Sequence, residues 1–153
     1  MLFRSARRFF EVAIKGEDPA DESDFGMMLV DGVGGPADLR RGMNLLAEAG
    51  NRGVESAQFK LASLARDRND MTTAEFWLSK LLPDCGGIGS ATSRGHAEKV
   101  RAAAWLGGIY LARAPKGEAR TQSRDYIRAR YCMYRAAEQG DPDARQWVTA
   151  NTR

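Results

Sequence analysis

"RAAEQGDPDA", from Arg135 to Ala144, sets two alanines, a glycine and a third alanine at fixed intervals in an otherwise polar stretch. Followed back towards its start, the pattern reads Asp125, Ala129, Cys132 and Met133, Ala136 and Ala137, Gly140, Ala144. The same intervals recur in "DLRRGMNLLAEAGNRGVESA" as Asp38, Gly42, Leu45 and Leu46, Ala49 and Gly50, Gly53, Ala57. A third copy, "DMTTAEFWLSKLL", supplies Asp70, Ala74, Trp77, Leu78, Leu81 and Leu82, and a copy truncated at its start, "SARRFFEVAI", supplies Ala6, Phe9, Phe10, Ala13 and Ile14. A repeated skeleton has to be read before any single segment, because each unit buries its apolar face only against a neighbour.

Apolar or small residues at steps of three and four mark one face of a helix. Each skeleton therefore predicts a helix of about three turns. Asp38, Asp70 and Asp125 stand where a carboxylate accepts hydrogen bonds from the free amides of a first turn. Gly53 and Gly140 stand where a left-handed residue turns the chain out of a helix. A second helix follows each turn, with its own signature: "DFGMML", "FKLASLA" and "AWLGGIY" align Gly26, Ala62 and Gly107 between larger apolar residues. Glycine within a helix costs about 1 kcal/mol relative to alanine, so its place here implies a neighbouring helix too close for a side chain. The alanines of the opening stretch serve the same end.

Taken together, "FGMMLVDGVGGPAD" with Gly32 and Gly34 in its turn, Trp77-Leu78, "LGGIY" ending at Tyr110 and "AAEQGDPDA" resemble the Sel-one-like repeat family, a relative of the tetratricopeptide repeats. The resemblance covers nearly the whole chain. It implies an all-α fold, a short right-handed solenoid of about eight antiparallel helices, serving as an adaptor or scaffold for other proteins. Departures from the pattern are Ala65 in place of a tyrosine and a turn before Asp70 cut to "RDRN". A Gly-rich insertion at 83–97 and an extended loop at 114–124 also break it. Such irregularity suits a specialised binder more than a regular array.

The chain's 153 residues, 23 basic against 20 acidic side chains and formal charge of +3 fit one soluble globular domain over 1–153. No run is long and apolar enough to span a bilayer. Arginines interrupt every apolar run of the first residues, unlike a secretory signal, so a cytoplasmic location and no membrane partner are expected. Two cysteines are too few for a disulfide framework, and neither forms a zinc spacing with the sole histidine. A reducing compartment is the expectation, with Cys132 a core residue like its equivalents Leu45, Trp77 and Phe9. Trp77, Trp105, Trp147, Phe9 and Phe10 are all expected to pack. The acidic run "EDPADESD", Glu17 to Asp24, reads as a solvated loop leading into a helix.

No catalytic, cofactor-binding or metal-binding residue is assigned, and the chain is read as a non-enzymatic module that binds another protein. A toxin-immunity protein and a regulatory adaptor both fall within that class. Two other classes compete. One is an enzyme using Cys85 as nucleophile with His96 as base, although no third group marks itself to orient the base. The Gly-rich segment between them also lacks the Lys-Ser/Thr ending of a phosphate loop, and it reads as a surface loop. The other is a weak basic nucleic-acid binder, which the mixing of acids among the arginines disfavours. In the superfamily resembled here, the leading helices of each pair line the concave side. That implies a partner surface made of Ser23, Met27 and Val30 in the first copy, Ser56, Phe59, Ser63 and Arg66 in the second, and Arg101, Ala104, Gly108 and Leu111 in the third.

Overall fold

The computed structural model describes residues 2–13, 18–89, 92 and 95–152. Ile14, Glu17 and, within the 83–97 insertion, Ser90, Ala91, Ser93 and Arg94 lie outside the described residues. The described chain is all-α, with no strand among the described residues. Its helices are α1 (Leu2–Ala13), α2 (Pro19–Asp31), α3 (Leu39–Asn51), α4 (Glu55–Asp67), α5 (Met71–Leu81), α6 (His96–Arg113), α7 (Arg124–Glu138) and α8 (Pro142–Asn151). Single 3₁₀ turns occupy Pro83–Cys85 and Glu118–Arg120. Two compact units divide the chain, Met1–Asn69 and Asp70–Arg153. The division falls at the shortened turn, where Asn69 has a positive φ of 58°.

The skeleton positions are where the core lies. Gly42, Ala74 and Ala129 are buried, as are Leu46, Leu78 and Met133 one turn on, and Ala49, Leu81 and Ala136 after them. Asp38 and Asp70 cap their helices as expected, accepting hydrogen bonds at 3.0 Å from the amides of Arg41 and Thr73. Gly53 and Gly140 take positive φ values of 95° and 104° just past the ends of α3 and α7. Asp125 is not a cap: α7 starts one residue earlier, and the Ser123 hydroxyl accepts from the Tyr126 amide instead.

In the first unit α2 packs against α3. A Cβ at Gly26 would lie 3.1 Å from the Gly42 carbonyl, and one at Gly42 would lie 2.8 Å from both the Gly26 carbonyl and a Val30 methyl. The backbones themselves meet there. Phe25, Leu29, Leu46, Ala49, Ala57 and Leu61 close the core on either side of that contact. In the second unit α6 and α7 repeat the arrangement, with the missing side chain of Gly107 filled by Met133, whose Cγ would be 2.9 Å from a Cβ.

Two expectations fail on α1 and α2. Phe9 is 70% exposed rather than packed. Arg7 donates to the Pro36 carbonyl at 2.8 Å and Glu11 pairs with Arg41 at 3.8 Å, with Phe10 half-buried on the same side of α1. Phe9, two residues from each and hence about 200° round the helix, points away. The acidic run is mostly helix: Asp18 caps α2 and Pro19 opens it. Glu22 and Ser23 are buried inside it, with Glu22 paired to Arg52 at 3.2 Å.

These contacts yield a paired prediction. Gly42→Ala should destabilise by about 1–3 kcal/mol, since its methyl meets backbone that cannot yield. Gly108→Ala, where a Cβ meets nothing within 4 Å, should stabilise by up to about 1 kcal/mol. Urea melts of the two variants check both signs, and equal effects would remove the close-approach reading. A second prediction concerns the α5 cap. Hydrogen bonds from the side chain and backbone of Thr73 hold the Asp70 carboxyl below its ordinary value. The cap's contribution is thus present above the unfolded-state pKa and is lost as pH falls through the lowered one. An NMR titration should place the Asp70 midpoint below that of the same residue in urea; coincident midpoints would contradict it.

Candidate functional site

The stretch "RDYIRARYCMYR" alternates arginine with apolar residues so that α7 has two contrasting sides. At about 100° per residue, Tyr126, Ala129, Cys132, Met133 and Ala136 face inward and are buried. Ile127 and Tyr131, one turn apart on the opposite side, are 56% and 51% exposed. Large apolar side chains left in water on adjacent turns cost solvation free energy that a stable fold ordinarily recovers by burial.

Beside them lies a groove of about 450 Å³, within the second unit. Ile127, Arg128, Tyr131 and Cys132 form one wall, Tyr110 of α6 the floor, and Pro83, Asp84 and Gly86 the other wall. The close approach at Gly107 brings Tyr110 under α7, and the Arg128 guanidinium stands 5.7 Å from the centre of the Tyr110 ring. Across the groove Arg128 reaches the Asp84 carboxylate at 3.7 Å. That carboxylate is 87% exposed, so the ion pair contributes little to stability.

The far wall is held by a covalent bond. Cys85 and Cys132 form a disulfide, their Cα atoms 5.3 Å apart and 47 residues apart in sequence. Asp84 and Cys85 both have positive φ, 50° and 56°, a conformation that costs non-glycine residues free energy and persists where surroundings over-determine it. The bond to α7 supplies that restraint, together with Ile88, which is fully buried.

This revises three expectations at once. Cys132 is buried as foreseen, yet neither sulfur is a free thiol. The start of the 83–97 segment is a surface turn anchored in the core by Cys85 and Ile88, not a free loop. Cys85 cannot serve as a thiolate beside His96, because its sulfur is already bonded. His96 instead begins α6 and lines a separate hollow of about 400 Å³ with Val100, Arg101, Ala104, Gly140 and Asp141. Among the described residues no cluster of metal-ligating side chains occurs, and no helix is long and apolar enough to cross a membrane.

The residues expected on the partner surface fall in both units. In the first, α2 and α4 meet through Ser23 and Ser56, whose hydroxyls lie 3.3 Å apart, and through the Lys60–Asp31 ion pair at 2.7 Å. Ser23 is fully buried by that meeting and cannot touch a partner. Met27, Val30, Ser56, Phe59, Ser63 and Arg66 are half-buried on those two helices, Val30 against Gly42. In the second unit Arg101 is exposed, Gly108 and Leu111 are intermediate, and Ala104 is buried. Reading the leading helices alone overlooked Tyr110, Ile127, Arg128 and Tyr131. The signal was present in the i, i+4 spacing of Ile127 and Tyr131 on the side of α7 away from the skeleton.

No protein-family model matches the chain, and no curated protein is similar to it.

Removing the disulfide tests how this wall is held. By the loop-closure argument a 47-residue separation is worth about 4 kcal/mol in the unfolded chain. Cys132→Ser should lose about 2–4 kcal/mol in urea, and dithiothreitol should lower the wild-type midpoint but not the variant's. Thiol titration of the unfolded wild type should find none; free thiols there would exclude the bond.

Proposed function

We propose that this protein is a non-enzymatic protein-interaction module, a helical-repeat scaffold of the Sel-one-like kind that engages its partner through the α7 groove. The observation that carries the reading is the exposure of Ile127 and Tyr131 beside an apolar groove whose walls are fixed by a disulfide. Contiguous exposed apolar residues rimmed by polar ones are the mark of an interface. Tyrosine and arginine are the residue types that dominate interface energetics, and both line this groove. A rigid wall reduces the ordering cost of binding, so more of the contact energy appears as affinity.

The recurrence of the skeleton supports a solenoid scaffold, an adaptor or an immunity protein within that class. The role is that of a platform: the inward side of α7 builds the fold, and its outward side meets the partner.

A photo-crosslinking residue placed at Tyr131 should form a discrete protein adduct in the native cell. Ile127→Asp should abolish that adduct while changing unfolding free energy by no more than about 0.5 kcal/mol, as expected of an exposed site. A crosslinker at Phe59, with the Phe59→Ala/Arg66→Glu variant beside it, interrogates the α2–α4 face in parallel. An adduct at Phe59 with none at Tyr131 would move the interface to that face and refute the α7 assignment.

A further inference from the structure

We infer that the α7 groove takes a peptide segment in which a large apolar side chain lies beside a carboxylate; this rests on the protein-interaction reading above. The chemistry of the walls sets both halves of the specificity. Pro83, Ile127, the rings of Tyr110 and Tyr131 and the Cys132 half-cystine offer an apolar lining, with no charged side chain among them. Its size, about 450 Å³, suits one bulky side chain and part of the backbone that bears it.

Arg128 is the one cation and Asp84 the one acid among the groove-lining residues, and Arg124 precedes Arg128 by one turn of α7. Arg135 is already engaged by Glu138 at 3.4 Å. A guanidinium carries five donors, and the long contact to Asp84 uses its fork loosely. A partner carboxylate can therefore share Arg128, forming charge-assisted bonds stronger than the one it joins. Asp84 tunes the site against bare anions by holding part of that charge.

The same features disfavour other occupants. Single-stranded nucleic acid needs a succession of open rings on which bases stack, but Tyr110 is buried on the floor and Tyr131 alone of the groove's rings is exposed. A second copy docked groove to groove would set Arg124 and Arg128 of α7 against their own counterparts, and like charges facing each other oppose docking.

Selection of a displayed random nonapeptide library on the immobilised, oxidised full-length protein tests the inference. Enriched sequences should pair Asp or Glu with Leu, Ile, Phe or Trp within two positions. Fluorescein-labelled versions of them should bind on the order of tenfold more weakly to Arg128→Glu and to Tyr131→Ala, and more weakly as salt rises. Replacing their acids with lysine should abolish binding to wild type and restore it to Arg128→Glu. No enrichment, enrichment without acids, or equal affinity for Arg128→Glu would overturn the inference. So would tighter binding of a twelve-residue oligo-dT, or a concentration-dependent dimer lost in Tyr131→Ala. A Tyr131 adduct in cells combined with non-acidic enrichment removes only this specificity, whereas absence of the Tyr131 adduct removes the α7 assignment on which it rests, and absence of an adduct at both Tyr131 and Phe59 removes the interaction reading itself.

Discussion

Helix backbones in contact are the constraint from which the rest of this structure follows. At Gly26 and Gly42 in one unit, and at Gly107 in the other, the space that a side chain would need is taken by a neighbouring carbonyl or side chain. Such contacts gain dispersion over many atom pairs but tolerate almost no added volume. They also set position along the helix. Because Gly107 seats Met133, Tyr110 comes to rest beneath Arg128 three residues further along α6, and the groove floor is fixed by a contact outside the groove.

The disulfide extends that logic to a segment with no helix of its own. Pro83–Cys85 is too short to bury a face, and two successive residues of positive φ resist the conformation it adopts. Bonding Cys85 to α7 couples this turn to the most regular part of the unit, while Leu82 and Ile88, both fully buried, hold it from either side. The turn becomes a wall with a defined place, and the cost of its backbone is met by the helix to which it is tied.

Much of the fold was legible in the chain because the skeleton repeats and each copy corrects the others. Asp38, Asp70, Gly53 and Gly140 could be placed at helix ends, and Gly107 at a close contact, from spacing alone. What escaped had no second copy to compare. Cys132 occupies a position that holds Leu45 and Trp77 elsewhere, so its apolar role hid its covalent one, and nothing local at Cys85 points 47 residues ahead. Phe9 was misplaced for a different reason. Its spacing matches the skeleton, but the side of α1 that carries Arg7 and Glu11 is the one that meets Pro36 and Arg41, and periodicity does not say which side of an amphipathic helix the rest of the protein takes. Ser23 and Ala104 show the converse: both belong to the expected partner surface and both are buried, Ser23 where α2 meets α4 through Ser56.

The two sides of α7 differ from those of α3, a skeleton helix of the first unit. In α3 the outward positions are mostly polar, which keeps an exposed helix face soluble. In α7 the equivalent face carries Ile127 and Tyr131 among arginines. Arginine is suited to this company: its weakly hydrated plane lies over aromatic rings, as Arg128 does at Tyr110, Arg120 at Tyr126 and Arg130 at Tyr134. On α5 a lysine takes this place, Lys80 standing 5.0 Å from the Phe76 ring and 5.4 Å from that of Trp77. On the reading proposed above, α7 would offer a partner the apolar area of Ile127 and Tyr131 together with the donors of Arg128, whose plane is already set by the Tyr110 ring.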